Sequence, residues 1–269
     1  MTVSHGGRAR VHGLRIVALG YLAAMLLAPV VLVFYRTFEH GLGAVWSSIT
    51  TPAAISAFWL TIEIAAIAVP LNAAFGLLLA LALARREFRG KALVEAIVDL
   101  PFAVSPVAIG LALVLVYGAG GWIGGALLHA GVRVIFAVPG MVLATIFVSL
   151  PFVVREVTPV LREAGEEQEQ AAATLGASPW QAFRRVTLPA IRPALTYGIV
   201  LSAARAIGEF GAVSVVSGDV AGHTQSLTLL VQQRFENFDL AGAYAASALL
   251  ALIALALLPV LSLTKGRRA

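Results

Sequence analysis

Residues Glu163–Arg192, with the sequence EAGEEQEQAAATLGASPWQAFRRVTLPAIR, form the longest polar interruption in an otherwise apolar chain. Strong helix formers fill positions 166–175, and Gly176 is the residue type that ends a helix in the left-handed conformation. Ser178 and Pro179 then follow as an N-cap and a proline at the first position of a second helix. The stretch predicts two short helices that meet at a glycine corner, and we call it the elbow.

Charge and residue size in the elbow are typical of an exposed binding element. Acidic residues open its first helix and arginines close its second, as the helix dipole favours, and we expect Pro189 and Pro193 to end this second helix. Small residues surround the corner: Ala171, Ala172, Ala173, Gly176 and Ala177. A rigid corner of this kind fits into a groove on another protein. A solvated loop without a partner is the alternative that the composition equally allows.

The composition excludes an ordinary soluble domain. Of the 269 residues, 59% are hydrophobic and only 12% are charged, whereas soluble domains contain about 25% charged residues. The sequence therefore predicts an all-α integral membrane protein surrounded by the lipid bilayer. It contains no cysteine, which excludes disulfides and thiolate metal sites. The formal net charge of +5 reflects basic residues that orient membrane loops, so we expect no binding to nucleic acid.

Six apolar runs are long enough to cross a membrane, and they predict a single transmembrane domain over 1–269. The predicted spans cover about 14–34, 55–84, 96–117, 138–154, 196–216 and 241–263. The second run is longer than one crossing needs, so we expect it to be tilted or kinked at Pro70. The segment 155–195 is predicted to be a loop that contains the elbow.

Basic residues are distributed unequally over the two sides of these spans. Fifteen of the nineteen Lys and Arg residues lie at the termini and in alternate connecting segments, three lie in the other segments, and Arg205 lies inside the fifth span. The positive-inside rule puts both termini and the loop 155–195 in the cytoplasm. We therefore expect a multi-pass protein of the cytoplasmic membrane, with its elbow in the compartment that contains ATP.

The sequence contains no motif for catalysis or for metal binding. Gly90 and Lys91 lack the earlier glycine and the hydroxyl residue of a phosphate-binding loop. The five histidines are scattered without metal-ligand spacing, and no protease or esterase motif occurs. We expect a chain that is not an enzyme and that holds neither a metal nor a cofactor of its own.

Arg205 and Glu209 are the ionisable pair of the predicted fifth span. Their spacing puts them on one face of a helix, one turn apart. A charge near the middle of a membrane costs about 2.5–3.5 kcal/mol on insertion scales, so such residues face protein or a water-filled path. The arginine is a candidate donor to a passing oxyanion, with the glutamate limiting how tightly that anion is held. The alternative is a structural pair that only neutralises its own charge.

Pro101 and Pro106 interrupt the start of the predicted third span, in the sequence DLPFAVSPVAIG. Prolines remove helix hydrogen bonds, and inside a membrane the freed groups must face protein or a cavity. We interpret the segment either as a hinge that lines a path or as a static kink.

The elbow resembles the cytoplasmic signature of the inner-membrane subunits of binding-protein-dependent ABC importers. That signature reads Glu-Ala-Ala, three residues, Gly, nine residues, Ile, any residue, Leu-Pro. Here Gln170, Ala171 and Ala172 precede Gly176 at this spacing, and Val186-Thr187-Leu188-Pro189 follows. Gln170 replaces the Glu and Val186 replaces the Ile, so an ion pair from position 170 is lost while the elbow is retained.

Longer stretches are similar to the sulfate/thiosulfate permeases, and among these to the W-type subunit. They include FAVPGMVLATIFVSLPFVVREVTPV, RVTLPAIRPALTYGIVLSAARAIGEFGAVSVVSG and TQSLTL, and the similarity runs from about 52 to 254. ARAIGEFGAV is less specific, because molybdate and tungstate permeases look similar there. A molybdate or tungstate permease is thus the nearest alternative, and a passive anion channel is a further one.

The resemblance implies a type I importer permease with six spans that works in a heteromeric complex. Its expected partners are a T-type permease, two ATPase subunits that hold ATP and magnesium, and a sulfate-binding protein outside the membrane. In this family the elbow docks in a groove of the ATPase. The implied contact tip consists of Gln170, Ala171, Ala172, Leu175, Gly176 and Ala177, and the resemblance makes Arg205 and Glu209 candidates for the anion path or its gate.

Overall fold

The computed structural model describes residues 5–39 and 41–265, with side chains over 15–39, 41–257 and at 259. Within these ranges the chain is helical and contains no strand, so the predicted all-α fold is confirmed. A π-helical turn, Phe183–Thr187, joins α9 to α10. The α-helices in chain order are α1 His5–Phe38, α2 Gly41–Ile49, α3 Pro52–Arg85, α4 Lys91–Ala103, α5 Pro106–Tyr117, α6 Gly124–His129, α7 Val138–Ala164, α8 Glu167–Thr174, α9 Pro179–Ala182, α10 Leu188–Ile207, α11 Gly211–Val216, α12 Leu227–Glu236 and α13 Leu240–Lys265.

Helices α3, α7 and α10 pack together at the centre of the molecule, and small residues let them approach closely. A Cβ atom added to Gly76 of α3 would lie 2.8 Å from Cβ of Val153 in α7. One added to Gly198 of α10 would lie 3.0 Å from Cα of the same valine, which is fully buried. Lipid competes with helix contacts for apolar surface, so membrane helices associate where small residues permit close packing. Arg205 lies on α10 of this core, and the elbow helices α8 and α9 precede α10 in the chain.

The described residues contain four helices that are long and apolar enough to cross a membrane. They are Arg15–Phe38, Pro52–Arg85, Val138–Ala164 and the continuous stretch Pro179–Ile207. The bent pair α4 and α5 gives a fifth crossing if it is counted as one span, and the described apolar part of α13, Leu240–Ala256, is shorter than a full crossing. The six-span count therefore stays a prediction.

The predicted interruption of the third span is confirmed before Pro106, whereas Pro101 lies inside α4. Helix α4 ends at Ala103, Ser105 precedes α5, and Pro106 stands in the first turn of α5. The chain bends by 118° between the two helices. Two ion pairs of 2.8 Å join α4 to α7, from Asp99 to Arg155 and from Glu95 to Arg162.

The predicted bounds of the fourth and fifth spans differ from the helices. Helix α7 continues beyond 154 to Ala164. The fifth span, predicted as one helix over 196–216, is interrupted at residues 208–210, which we call the α10–α11 break. Gly208 ends α10 with its N–H bonded back to the last turn. A hydropathy pattern does not detect such a break, because apolar residues continue on both sides of it.

The prolines after the second elbow helix do not end the helical path, contrary to the prediction that Pro189 and Pro193 close it. Pro189 lies in the first turn of α10, where its missing N–H is tolerated, and the helix continues through Pro193. Before it, the π-helical turn widens the backbone so that the Leu188 N–H reaches the carbonyl of Phe183. This widening relieves the clash that a proline ring makes with the preceding turn.

Helix α11 packs closely against α5. A Cβ atom at Gly110 would lie 2.8 Å from both the carbonyl oxygen of Ala212 and Cβ of Val215. On the other side, a Cβ atom at Gly211 would lie 2.9 Å from Cβ of Pro106. The short helix after the break is thus held in position by the second half of the bent pair.

Candidate functional site

Arg205 and Glu209 form an ion pair at the α10–α11 break. Nη1 of Arg205 lies 2.6 Å from Oε2 of Glu209. The prediction that both residues share one helix is wrong, because α10 ends at Ile207 and Glu209 lies beyond its cap. The chain turns at the break so that the two side chains still meet.

Glu209 is buried and held by the backbone around the break. Its side chain is 1% exposed. Oε1 accepts a hydrogen bond of 2.8 Å from the N–H of Ala212 in the first turn of α11. Its carbonyl oxygen accepts one of 2.9 Å from the hydroxyl of Thr228 in α12. The glutamate therefore links the end of α10 to α11 and α12, which gives it a structural role in addition to the ion pair.

Arg205 is more accessible than its partner. Its side chain is 29% exposed, and within the described residues Glu209 is its one ionic partner, although Oε2 of Glu209 has no hydrogen bond of good geometry. A guanidinium carries five N–H donors in a planar fork, which suits oxyanions. Most of these donors remain free to bind a ligand. The adjacent carboxylate reduces the net positive charge at this position.

Hydroxyl groups surround the break on the side of α12. The hydroxyls of Ser226 and Thr228 lie 2.9 Å apart. The N–H of Leu227 donates to Oγ1 of Thr61 in α3 at 2.9 Å. These contacts were not expected from the sequence. The TQSLTL stretch that carried the resemblance is thus the segment that approaches Glu209.

A second polar cluster joins the three central helices. Asn72 of α3 is fully buried, and its Nδ2 lies 2.7 Å from Oγ of Ser149 in α7 and 3.2 Å from Oγ of Ser202 in α10. Oδ1 of Asn72 has no hydrogen-bond partner. The sequence analysis missed this cluster, although an amide in the middle of an apolar run was a signal that could have found it.

The elbow has the local geometry that its sequence predicts. Gly176 has a φ of +84°, which completes a Schellman motif at the end of α8. In this motif the N–H of Gly176 bonds to the carbonyl of Ala173 at 2.9 Å and that of Ala177 to Ala172 at 3.0 Å. A capping box between Ser178 and Gln181 starts α9. The corner is therefore a defined structure with satisfied backbone groups.

The predicted contact tip lies on the surface. Gln170, Ala171, Leu175 and Gly176 are exposed, while Ala172 and Ala177 are half-buried. Leu175 is 89% exposed. A cleft of about 430 Å³ between α8 and α9 is lined by residues that include Gln170, Ala173, Ala177, Pro179 and Phe183.

Trp180 extends the exposed apolar surface of the elbow and was not singled out from the sequence. Its side chain is 65% exposed. Its ring stacks on Phe183 with 5.5 Å between centroids. A tryptophan next to the proline of an N-capped helix was the available signal, because Trp is enriched at binding hot spots.

The elbow and the Arg205 pair do not form one site. They lie at the two ends of α10, whose first residue adjoins the π-helical turn and whose last turn carries Arg205. At 1.5 Å per residue the distance between them along the helix is about 25 Å. Helix α10 thus connects a surface corner to a charged pair inside the bundle.

Within the described chain, no group of three or more His, Cys, Asp or Glu side chains is arranged to hold a metal ion.

These features define a helical membrane protein whose apolar bundle carries an exposed two-helix elbow. The chain belongs to the family described as binding-protein-dependent transport system inner membrane component, whose model matches residues 73–264.

The relatives agree with this assignment, and a solved structure has a similar fold. The chain is 49% identical over 250 residues to the "Sulfate transport system permease protein CysW" of Synechocystis sp. (strain ATCC 27184 / PCC 6803 / Kazusa), covering 93% of this chain and 91% of the relative. It is 40% identical over 242 residues to the "Sulfate transport system permease protein CysT" of Synechococcus elongatus, covering 90% of this chain and 87% of the relative. The fold is similar, with a TM-score of 0.79 at 17% identity over 96% of both chains, to the crystal structure of a bacterial ABC transporter involved in the import of the acidic polysaccharide alginate.

Proposed function

We propose that this chain is the W-type permease subunit of an ATP-driven ABC importer that carries sulfate and thiosulfate across the cytoplasmic membrane by alternating access. The observation that carries the proposal is the 49% identity, over nearly the whole of both chains, to a relative named as a sulfate transport permease of the W type. The lower identity of the T-type relative favours the W-type subunit. The chain itself is non-catalytic, and a partner ATPase supplies the hydrolysis of ATP.

The proposed complex contains this chain beside a T-type permease, two ATP-binding subunits and a sulfate-binding protein outside the membrane. The family description, which names dependence on a binding protein, supports the last of these. ATP and magnesium are held by the ATPase subunits. Six spans with both termini in the cytoplasm fit the uneven distribution of Lys and Arg, and they put the elbow on the side of the ATPases.

The elbow is the contact with the ATPase. Burial of a leucine side chain stabilises by about 1.5–3 kcal/mol, so the almost fully exposed Leu175 is suited to a groove on a partner. Gln170, Ala171, Ala172, Gly176 and Ala177 form the surrounding tip, whose small side chains allow close approach. Closure of the ATPase pair then moves the elbow and, through α10, the α10–α11 break.

Arg205 belongs to the anion path. Glu209 lowers the net positive charge there and holds the guanidinium in position. The free guanidinium donors support this role, as does the partial exposure of an arginine inside an apolar bundle. Thr228 donates its hydroxyl proton to the carbonyl oxygen of Glu209 and so helps to hold the glutamate in position beside Arg205.

Uptake of labelled sulfate into vesicles tests the proposal. Vesicles that carry this chain with its candidate partners should accumulate sulfate only with ATP, and excess molybdate should not block the uptake. Efficient block by molybdate would shift the substrate to molybdate or tungstate. Transport in ATP-depleted vesicles would refute the importer and favour a channel.

Substitution of Arg205 tests the path. Arg205→Ala should lower sulfate uptake at least tenfold while the complex remains in the membrane, because one charge-assisted hydrogen bond contributes about 1.5–3 kcal/mol. Arg89→Ala is the matched control, since Arg89 is exposed, lies outside the elbow and has no ionic partner for its side chain among the described residues. Loss of the protein from the membrane would instead assign the pair a purely structural role.

A further inference from the structure

The side chain of Glu169 in α8 bonds to residues outside its own helix, on α3 and on the π-helical turn. Its Oε1 accepts a hydrogen bond of 2.8 Å from Nη2 of Arg85, the last residue of α3. The same oxygen accepts one of 2.7 Å from the hydroxyl of Thr187, at the end of the π-helical turn. One carboxylate therefore joins three segments that are far apart in the sequence.

The surroundings of this contact are largely shielded from solvent. Arg85 is 14% exposed and Glu169 is 30% exposed. Thr187 is buried, and Nε of Arg85 is buried without a hydrogen-bond partner. Loss of the carboxylate would leave a nearly buried guanidinium without its counter-charge, which is costly. The contact is thus stronger than an ordinary surface ion pair.

Helix α8 has little other attachment to the bundle. None of its residues is buried. It follows α7 through Gly165, whose φ of 63° and ψ of −170° lie in a region that only glycine readily adopts. Within the described chain, the contact with Arg85 is the one hydrogen bond or ion pair between α8 and a helix outside the elbow. Rigid transmission from α8 to α3 consequently depends on it.

The neighbouring carboxylates behave differently. Glu166 and Glu167 are exposed and have no ion pair or side-chain hydrogen bond among the described residues. Gln170, at the position of the family's Glu, is exposed and uncharged. Charge at Glu169 is therefore singled out by its contacts and not by its place in an acidic run.

We infer that Glu169 is a positioning residue that clamps the elbow to α3, so that movement of the elbow is transmitted to α3 as well as to α10. This inference rests on the proposed coupling role of the elbow. Without the clamp, α8 would pivot at Gly165 and part of the movement would be lost. The ATPase would then still bind and hydrolyse ATP, but fewer anions would cross for each ATP.

The test measures ATP hydrolysis and sulfate uptake in the same proteoliposomes, with the whole complex. Glu169→Gln should raise the ratio of ATP hydrolysed to sulfate transported about tenfold, the equilibrium change expected from one charge-assisted hydrogen bond, while subunit assembly is unchanged. Glu39→Gln removes the same charge from an exposed ion pair outside the elbow, between Arg36 and Glu39, and should leave the ratio at the wild-type value. Equal ratios in the two variants would overturn the inference.

A charge exchange gives a second and independent result. Arg85→Glu and Glu169→Arg should each uncouple the complex, and the double exchange should recover at least part of the wild-type ratio. If the double exchange did not improve on either single variant, the inference would be overturned. This result does not depend on whether the Glu169→Gln variant assembles. Absence of ATP-dependent sulfate uptake in the unmodified complex would instead refute the proposed function itself, so the two failures are distinguishable.

Discussion

The corner residue of the elbow allows a graded prediction. Gly176 has a φ of +84°, and a Cβ atom added to it meets no other atom within 4 Å. A substitution there is therefore opposed by backbone conformation and not by a clash. The left-handed conformation costs an ordinary L-residue about 1–2 kcal/mol, and Asn tolerates it better than other side chains.

We expect the affinity of the ATPase for the permease pair to fall in the order Gly, Asn, Ala, Val at position 176. With a cost of about 1–2 kcal/mol, Gly176→Ala should weaken binding about 5- to 30-fold. Gly176→Asn should weaken it clearly less, and Gly176→Val more, because β-branched residues adopt positive φ least readily. The assay is titration of purified ATPase onto the permease pair in nanodiscs.

A glycine with an ordinary backbone provides the control for this series. Gly43 of α2 also has open space around an added Cβ, and its φ is not positive. Gly43→Ala should leave ATPase binding unchanged. Binding of the Gly176→Ala variant as tight as that of the wild type would refute the assignment of this corner to the docking surface.

Three further substitutions test the fold and the sites. Gly110→Val should prevent stable assembly, because the added Cβ would lie 2.8 Å from the carbonyl oxygen of Ala212. The amount of the variant in the membrane is the measurement, and a normal amount would contradict the packing of α5 on α11. Asn72→Leu should lower the stability of the complex by about 0.5–2 kcal/mol, because hydrogen bonds between membrane helices are weak. Asn72→Asp should lower it considerably more, because a buried unpaired carboxylate is costly. Thermal unfolding in detergent measures both losses, and equal losses would contradict the burial of this side chain. Leu175→Glu should weaken ATPase binding by about tenfold or more without changing the unfolding temperature of the permease, because the side chain is 89% exposed; a lowered unfolding temperature would show that it packs within the permease.

The glycine corner of the elbow could be predicted in detail, whereas the end of its second helix could not. Gly176, the Ser178 cap and Pro179 act through neighbours within six residues, so the residue types are sufficient to determine the backbone there. The interruption near Pro101 and Pro106 was predictable for the same reason, because proline acts on its own turn of helix. Its angle was not, since the direction of α5 is set by its close packing on α11.

The contact between Arg205 and Glu209 was predicted correctly, but the helix geometry from which it was predicted is wrong. The spacing of Arg205 and Glu209 suggested a pair on one helix face. The pair exists, but Glu209 lies outside the helix and is held by Ala212 and Thr228. A break inside a continuous apolar run leaves no trace in hydropathy, and the bond from Thr228 joins residues 19 positions apart.

Composition, basic-residue bias and turn chemistry by themselves determined that this chain is an all-helical membrane protein with a two-helix elbow, because these signals are properties of single segments in lipid or water. Only the tertiary structure decided which polar groups meet inside the bundle. Asn72 contacts serines 77 and 130 positions away, and Glu169 contacts Arg85 across 84 positions. Such contacts depend on how closely the helices pack, and that distance is set by the small residues on facing surfaces. The sequence pattern of a single segment contains no information about this distance.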